Sequence, residues 1–166
     1  MLPIVDQIHE ALDGLLDRRD PTGSSTVLGA GSDDLKAGRR FLESLVEGGW
    51  MVPTWPARHG GRDADAGEAA LIDSAMADYD VADLYPYGVG LNLVGPVLLD
   101  RGTPEQQDRW LRPIADGSEI WCQMFSEPDA GSDLANAGMR AERDGDEWIL
   151  NGSKVWTSRG AYARWG

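Results

Sequence analysis

The apolar pattern changes period near residue 118, and that change limits the architecture more than any other feature. Upstream, leucine, isoleucine and valine recur at three- and four-residue intervals, the spacing that lines one face of a helix. Downstream, short runs of β-forming residues are separated by glycine-containing turn signals. The expected fold is α+β: an all-helical domain over residues 1–118, then the beginning of an antiparallel β domain over 119–166.

Five helices are predicted in the first part. Residues 1–19 place Ile4, Val5, Ile8, Leu12, Leu15 and Leu16 on one face, and residues 20–32 form a loop by composition. Ser32 is placed to cap a second helix carrying Leu35, Leu42, Leu45 and Val46, stopped by Gly48-Gly49. "WMVPTWPARHGG" (50–61), with two prolines and two terminal glycines, is an irregular crossing. A third helix fits 66–80, with Ile72, Met76 and Tyr79 in register. A fourth, over 87–101, is apolar all round, which predicts a central position, with a kink at Pro96. The fifth opens with Thr103 as cap, Pro104 at the first helical position and Gln106 completing a capping box.

Beyond residue 118, "EIWCQMF" reads as a strand, and residues 139–158 carry two hairpin signals, Asp144-Gly145 and Asn151-Gly152. Four strands are predicted, the last with an open edge of the kind finished domains cover. The chain therefore reads as unfinished at Gly166.

A net charge of −13 argues against nucleic acid or an anionic membrane as partner. Cys122 is the sole cysteine, so no intrachain disulfide forms and a reducing cytoplasm is expected. Asp6 and Glu10 break any secretory signal, and no apolar run approaches membrane-spanning length. "GVGLNLVG" (88–95) lacks a preceding strand and the glycine spacing of a dinucleotide loop. His9 and His59 stand without metal-ligand spacing and read as surface or packing residues; no metal site is expected. The acidic clusters around Asp63 and Asp78 read as solvated faces, and Cys122 as inert core.

Two stretches remain, "FSEPDAGSD" (125–133) and "NGSKVWTS" (151–158). The first offers the hydroxyls of Ser126 and Ser132 with nearby backbone amides; the second offers Trp156 as a flat plate beside Thr157 and Ser158. A plate and a row of donors suit a flavin ring. From composition alone, a core tryptophan beside a Gly-Ser turn is the stronger alternative.

"QMFSEPDAGSDLA" resembles the signature of the acyl-CoA dehydrogenase family, Thr/Ser-Glu-Pro-x-Ala-Gly-Ser-Asp, and "EWILNGSKVWTS" is similar to the stretch that follows it. "GGWMVPTWPARHGG" and "YGVGLNLVGPVLLDRGTPEQQDRWLRPIADGSEIWC" also fall in family order. The resemblance implies a helical N-terminal domain, a middle β domain and a C-terminal helical bundle. It implies oxidation of an acyl-CoA thioester to the 2,3-enoyl thioester with FAD, a glutamate removing the α-proton. An electron acceptor such as an electron-transfer flavoprotein and, at full length, a homo-oligomer are implied as partners.

Carried over by motif position, Ser126 meets the flavin pyrimidine edge and Gln123, Met124 and Phe125 line the ring. Trp156 stacks on the flavin, Thr157 flanks it, and Ser158 lies near N5. Ser132 contacts the acyl-CoA near its thioester. Glu127 is structural in this pattern. No catalytic residue is assigned within the chain, because the base is expected beyond Gly166. The 166 residues are therefore expected to be inactive alone. Leu91, Leu93, Val94 and Leu98 are candidates for the acyl pocket, equally readable as core. Departures include Asp129 in place of a small neutral residue, Asn136 in place of a common glycine, Arg58-His59 in place of Glu-Tyr, and Arg164 in place of Asp or Asn; Arg159 reads as a solvated loop residue able to meet a phosphate. Alternatives are a non-catalytic flavin-binding or partner-docking module, or a flavin oxidase or monooxygenase of the same fold.

Overall fold

Side-chain caps set where three of the helices begin. Asp34 Oδ1 accepts from the Ala37 amide at 2.9 Å, Asp65 Oδ1 from the Glu68 amide at 2.8 Å, and Thr103 and Gln106 complete a reciprocal capping box. The computed structural model describes residues 4–20 and 34–166, which pack as two compact units, Met1–Ile120 and Trp121–Gly166. Ser32, the expected cap of the second helix, lies outside the described residues; the cap there is Asp34.

The first unit holds α1 (Ile4–Asp13), α2 (Leu35–Val46), α3 (Ala66–Met76), α4 (Gly95–Arg101) and α5 (Pro104–Ala115). Ile8 and Leu12 of α1, Phe41 and Leu45 of α2, and Ile72, Ala75 and Met76 of α3 meet in one apolar cluster closed by Tyr79. Burying each of the large members stabilises the unit by roughly 1.5–3 kcal/mol. Among the described residues no helix is long and apolar enough to cross a membrane.

α1 stops at Asp13 and α3 at Met76, short of the expected ends at 19 and 80. The intervening backbone is used elsewhere: Arg19 N–H donates to Asp78 C=O at 2.9 Å and Asp80 N–H to Asp17 C=O at 3.0 Å, pairing Arg18 with Tyr79. Arg18 binds the Asp13 carboxylate through two nitrogens and lies over the Tyr79 ring at 4.5 Å. The Tyr79 hydroxyl sits 2.9 Å from Asp13 Oδ1, and burial with that contact pushes its pKa up to about 12.

The predicted fourth helix is not continuous. Gly90–Val94 forms a π turn, in which the Gly95 amide reaches back five residues to Gly90 C=O, and only then does α4 begin. The wider turn supplies the break that Pro96, which has no N–H, imposes one residue later. The segment is also not central: Leu91 and Gly95 are buried, but Leu93 is 46% and Val97 60% exposed. Gly95 packs directly against Trp55: a Cβ there would lie 2.2 Å from the indole, so any larger residue forces the ring to shift.

In the second unit, β1 (Arg140–Asp144) pairs antiparallel with β2 (Glu147–Asn151), from Arg140 opposite Asn151 to Asp144 opposite Glu147. The loop is Gly145-Asp146, one residue later than the expected Asp144-Gly145, because Asp144 still pairs with Glu147 and the positive φ of 61° falls on the glycine at the loop's first position. Two of the four expected strands form. Residues 119–125 contribute an isolated bridge, Trp121 to Trp165, and Asn151-Gly152 does not turn a second hairpin. After Gly152 the chain instead runs beside Ser126, whose carbonyl accepts the Val155 amide at 2.9 Å. The side-chain clamp described next favours that course.

Candidate functional site

Glu127 and Lys154 organise the second unit. Glu127 begins the tight turn Glu-Pro-Asp-Ala, closed by reciprocal backbone bonds with Ala130 at 2.8 and 3.1 Å. Its buried carboxylate accepts from the Gly138 amide at 2.6 Å, the Met139 amide at 3.0 Å and Lys154 Nζ at 2.8 Å. Lys154 Nζ also donates to Phe125 C=O at 3.0 Å. One ion pair thus joins the exit of the 119–125 segment, the approach to β1 and the segment after β2. The ammonium of Lys154 first, then the Gly138 and Met139 amides, hold the Glu127 carboxyl below the ordinary glutamate value. Both carboxylate oxygens are engaged, which suits a clamp rather than a proton acceptor.

The clamp sets what the neighbouring residues present. Val155 N–H donates to Ser126 C=O, which brings the end of the 123–126 stretch to the start of the 155–158 stretch. Gln123, Met124 and Phe125 are exposed, and Ser126 and Thr157 are half-buried. Trp156 has a left-handed φ of 56° and is 88% exposed, so its indole is not the core tryptophan that composition favours. A bulky residue at positive φ is uncommon and strained, and such strain gathers at ligand sites. Ser158 and Ser132 are exposed, Ser132 on the bend before the Leu134–Asn136 turn. Asp129 is exposed, so its charge is solvated.

These two stretches offer an aromatic plate, apolar side chains and hydroxyls, while the neighbouring Glu127 is not a free proton acceptor. Those groups fit a flat heterocycle with a polar edge, as a flavin is. Among the described residues no group of His, Cys, Asp and Glu is placed to hold a metal ion. The organising role of Lys154 was not read from the sequence. Its signal there is a single lysine inside an otherwise uncharged run, "NGSKVWTS".

Residues 28–118 match the model of the acyl-CoA dehydrogenase N-terminal domain, and residues 122–166 that of the acyl-CoA dehydrogenase middle domain. The chain is 42% identical over 127 residues to acyl-CoA dehydrogenase IpdE1 of Mycobacterium tuberculosis, covering 76% of this chain and 33% of that protein. It therefore spans about a third of the length of the curated relatives it matches. Among solved structures, the ChsE4-ChsE5 complex from Mycobacterium tuberculosis superposes with a TM-score of 0.62 at 26% identity, covering 96% of this chain and 39% of that one. The Tcur3481-Tcur3483 steroid ACAD gives 0.61 at 28%, covering 96% and 40%. Two domain models matched in order on either side of residue 120, with a relative 42% identical over 76% of the chain, have one reading: the chain belongs to the acyl-CoA dehydrogenase family.

Proposed function

We propose that these residues are the N-terminal portion of an FAD-dependent acyl-CoA dehydrogenase, and that the face formed by 123–126 and 155–158 holds the flavin. The helical unit is then the family's N-terminal domain, and residues 119–166 are part of its middle domain. The observation that carries the reading is Trp156, a strained indole 88% exposed beside Ser126. Nothing in packing explains that placement, whereas stacking on a planar ring does.

Bound FAD would accept the hydride from the β-carbon of the acyl group. This chain's residues would bind and orient it: Trp156 against the ring with Thr157 flanking it, Gln123, Met124 and Phe125 along it, Ser126 at the pyrimidine edge and Ser158 near N5. Hydroxyl donors fixed where negative charge develops favour the reduced ring electrostatically. Ser132 would meet the acyl-CoA near its thioester. Glu127 would not be the base that removes the α-proton, because both of its oxygens are engaged in the clamp; the family resemblance puts that base in the C-terminal bundle. The steroid-linked neighbour makes a polycyclic acyl-CoA the substrate class to try first. The two-chain neighbours support a partner subunit, alongside the family's expected self-association, with an electron-transfer flavoprotein as acceptor. The buried free thiol of Cys122 suits a cytoplasmic setting.

The same residues would also serve a module that binds flavin without catalysis. One titration addresses both. FAD added to the chain is expected to co-elute on gel filtration, with Trp156→Ala binding about tenfold more weakly. Acyl-CoA is expected to leave the flavin absorbance unchanged. Equal affinity in the variant would remove the stacking role, and bleaching would place a working base within the chain.

A further inference from the structure

Residues 52–64 form a strap fastened by their own backbone and inserted into the helical unit at two points. Asp63 N–H donates to Trp55 C=O at 3.0 Å, Ala64 N–H to Pro53 C=O at 3.0 Å, and the Asp63 carboxylate accepts the Ala57 amide at 3.0 Å. The first plug is Trp55, buried against Gly95 where the π turn meets α4. The second is His59, 2% exposed, on the short Ala57–His59 turn that packs against α5. There is little slack between them. Gly60 takes a φ of 92°, and a Cβ on Gly61 would fall 2.1 Å from the Trp55 carbonyl oxygen.

The His59 ring is enclosed but not satisfied. Its Nε2 is buried with no hydrogen-bond partner, and Asp108 Oδ1, on an α5 side chain 69% exposed, is 3.8 Å away. That distance is beyond a hydrogen bond. The other charges nearby are Arg58 on the strap and Arg112 on α5, which is paired with Glu47 just past the end of α2. The Asp63 carboxylate is engaged within the strap. A neutral imidazole tolerates this enclosure, whereas an imidazolium would bury a charged N–H with no acceptor at hydrogen-bonding distance and only the more distant Asp108 carboxylate as counterion. Burial chiefly, then Arg58, lowers the His59 pKa from the ordinary value, and the attraction of Asp108 opposes them.

We propose that His59 is an acid-released latch: neutral, it plugs the strap onto α5; protonated, it leaves for water and loosens residues 52–64 together with the Trp55 seat on α4. The proposal is independent of flavin binding. Tyrosine, which the family resemblance expects at this position, would not titrate in the same range. The sign follows from linkage. Protons bind the released state more tightly than the latched one, so the latch holds above the ordinary imidazole value of 6.5 and weakens as pH falls below it.

Amide hydrogen exchange on the full 166-residue chain, corrected for intrinsic rates, tests this at about pH 7.5 and about pH 5.5, either side of the imidazole range. The amides of 55–64 and those of Val97 and Leu98 are expected to exchange faster at the lower pH, relative to the α1–α2–α3 core. His59→Tyr and His59→Phe are expected to abolish that difference. Asp108→Asn alters an exposed carboxylate and keeps the test decisive should a His59 variant not fold. It is expected to leave the higher-pH protection unchanged and deepen the loss at the lower pH, since the latched imidazolium loses its nearest counterion. Equal acid sensitivity in wild type and the His59 variants, or an Asp108→Asn chain that resists acid better than wild type, overturns the latch.

Discussion

Glu127 is the residue on which three separate segments of the second unit converge, and its chemistry makes that dependence measurable. Its carboxyl titrates below the ordinary value of 4.5 because Lys154 and the Gly138 and Met139 amides favour the charged form. A group depressed in this way stabilises the fold above its unfolded pKa, and the contribution is lost as pH falls through the folded value. Protection of the Gly138 and Met139 amides is therefore expected to collapse on acidification below about pH 4.5 in wild type. In Glu127→Gln the protection should already be weaker at neutral pH and nearly flat with pH, because a carboxamide places N–H groups against donors. An unchanged acid profile in that variant would show that Glu127 is not the group titrating. The motif resemblance marked Glu127 as structural; its partners were not legible, because Gly138, Met139 and Lys154 lie 11, 12 and 27 residues away.

At the scale of elements, the contact between Gly95 and Trp55 ties the strap to the break between the π turn and α4. Replacing Gly95 with alanine would set a methyl group about 2.2 Å from the indole. Overpacking of that kind costs ~1–3 kcal/mol, which should lower the melting temperature by several degrees. Helix propensity alone predicts the opposite, a gain of ~1 kcal/mol from Gly→Ala. The sign of the change on thermal unfolding therefore decides between packing and propensity. The same element shows why uniform apolarity misled: a stripe all round a helix predicts burial on every side, yet Leu93 and Val97 stay exposed.

For the molecule as a whole, β2 carries the clearest unbalanced surface. Trp148 and Leu150 on one face are 63% and 62% exposed, and Ile149 on the other is 48% exposed. A short strand apolar on both faces, in a two-stranded sheet, invites pairing with other chains. The isolated chain is expected to self-associate with increasing concentration in sedimentation velocity. Trp148→Thr with Leu150→Thr should shift the distribution toward monomer while the helical signal in circular dichroism stays unchanged. A double variant that associates as strongly as wild type would place the sticky surface elsewhere.

The sequence by itself determined the features whose physics closes within a few residues. The Thr103–Gln106 capping box, the two-residue turn near Gly145, the helical spacing of Ile8 and Leu12 and the motif around Ser126 were all legible, because their partners are near in the chain or their pattern is specific. Tertiary structure alone decided where α1 and α3 stop, that Asn151-Gly152 makes no hairpin, that Trp156 is exposed and that His59 is enclosed. Apart from the exposure of Trp156, each of these is settled by groups distant in sequence, as Tyr79 meets Asp13 across 66 residues. A backbone bond or a buried ring takes the arrangement that satisfies the most donors and covers the most apolar surface. Local propensity is too weak to choose among such arrangements before the chain has folded.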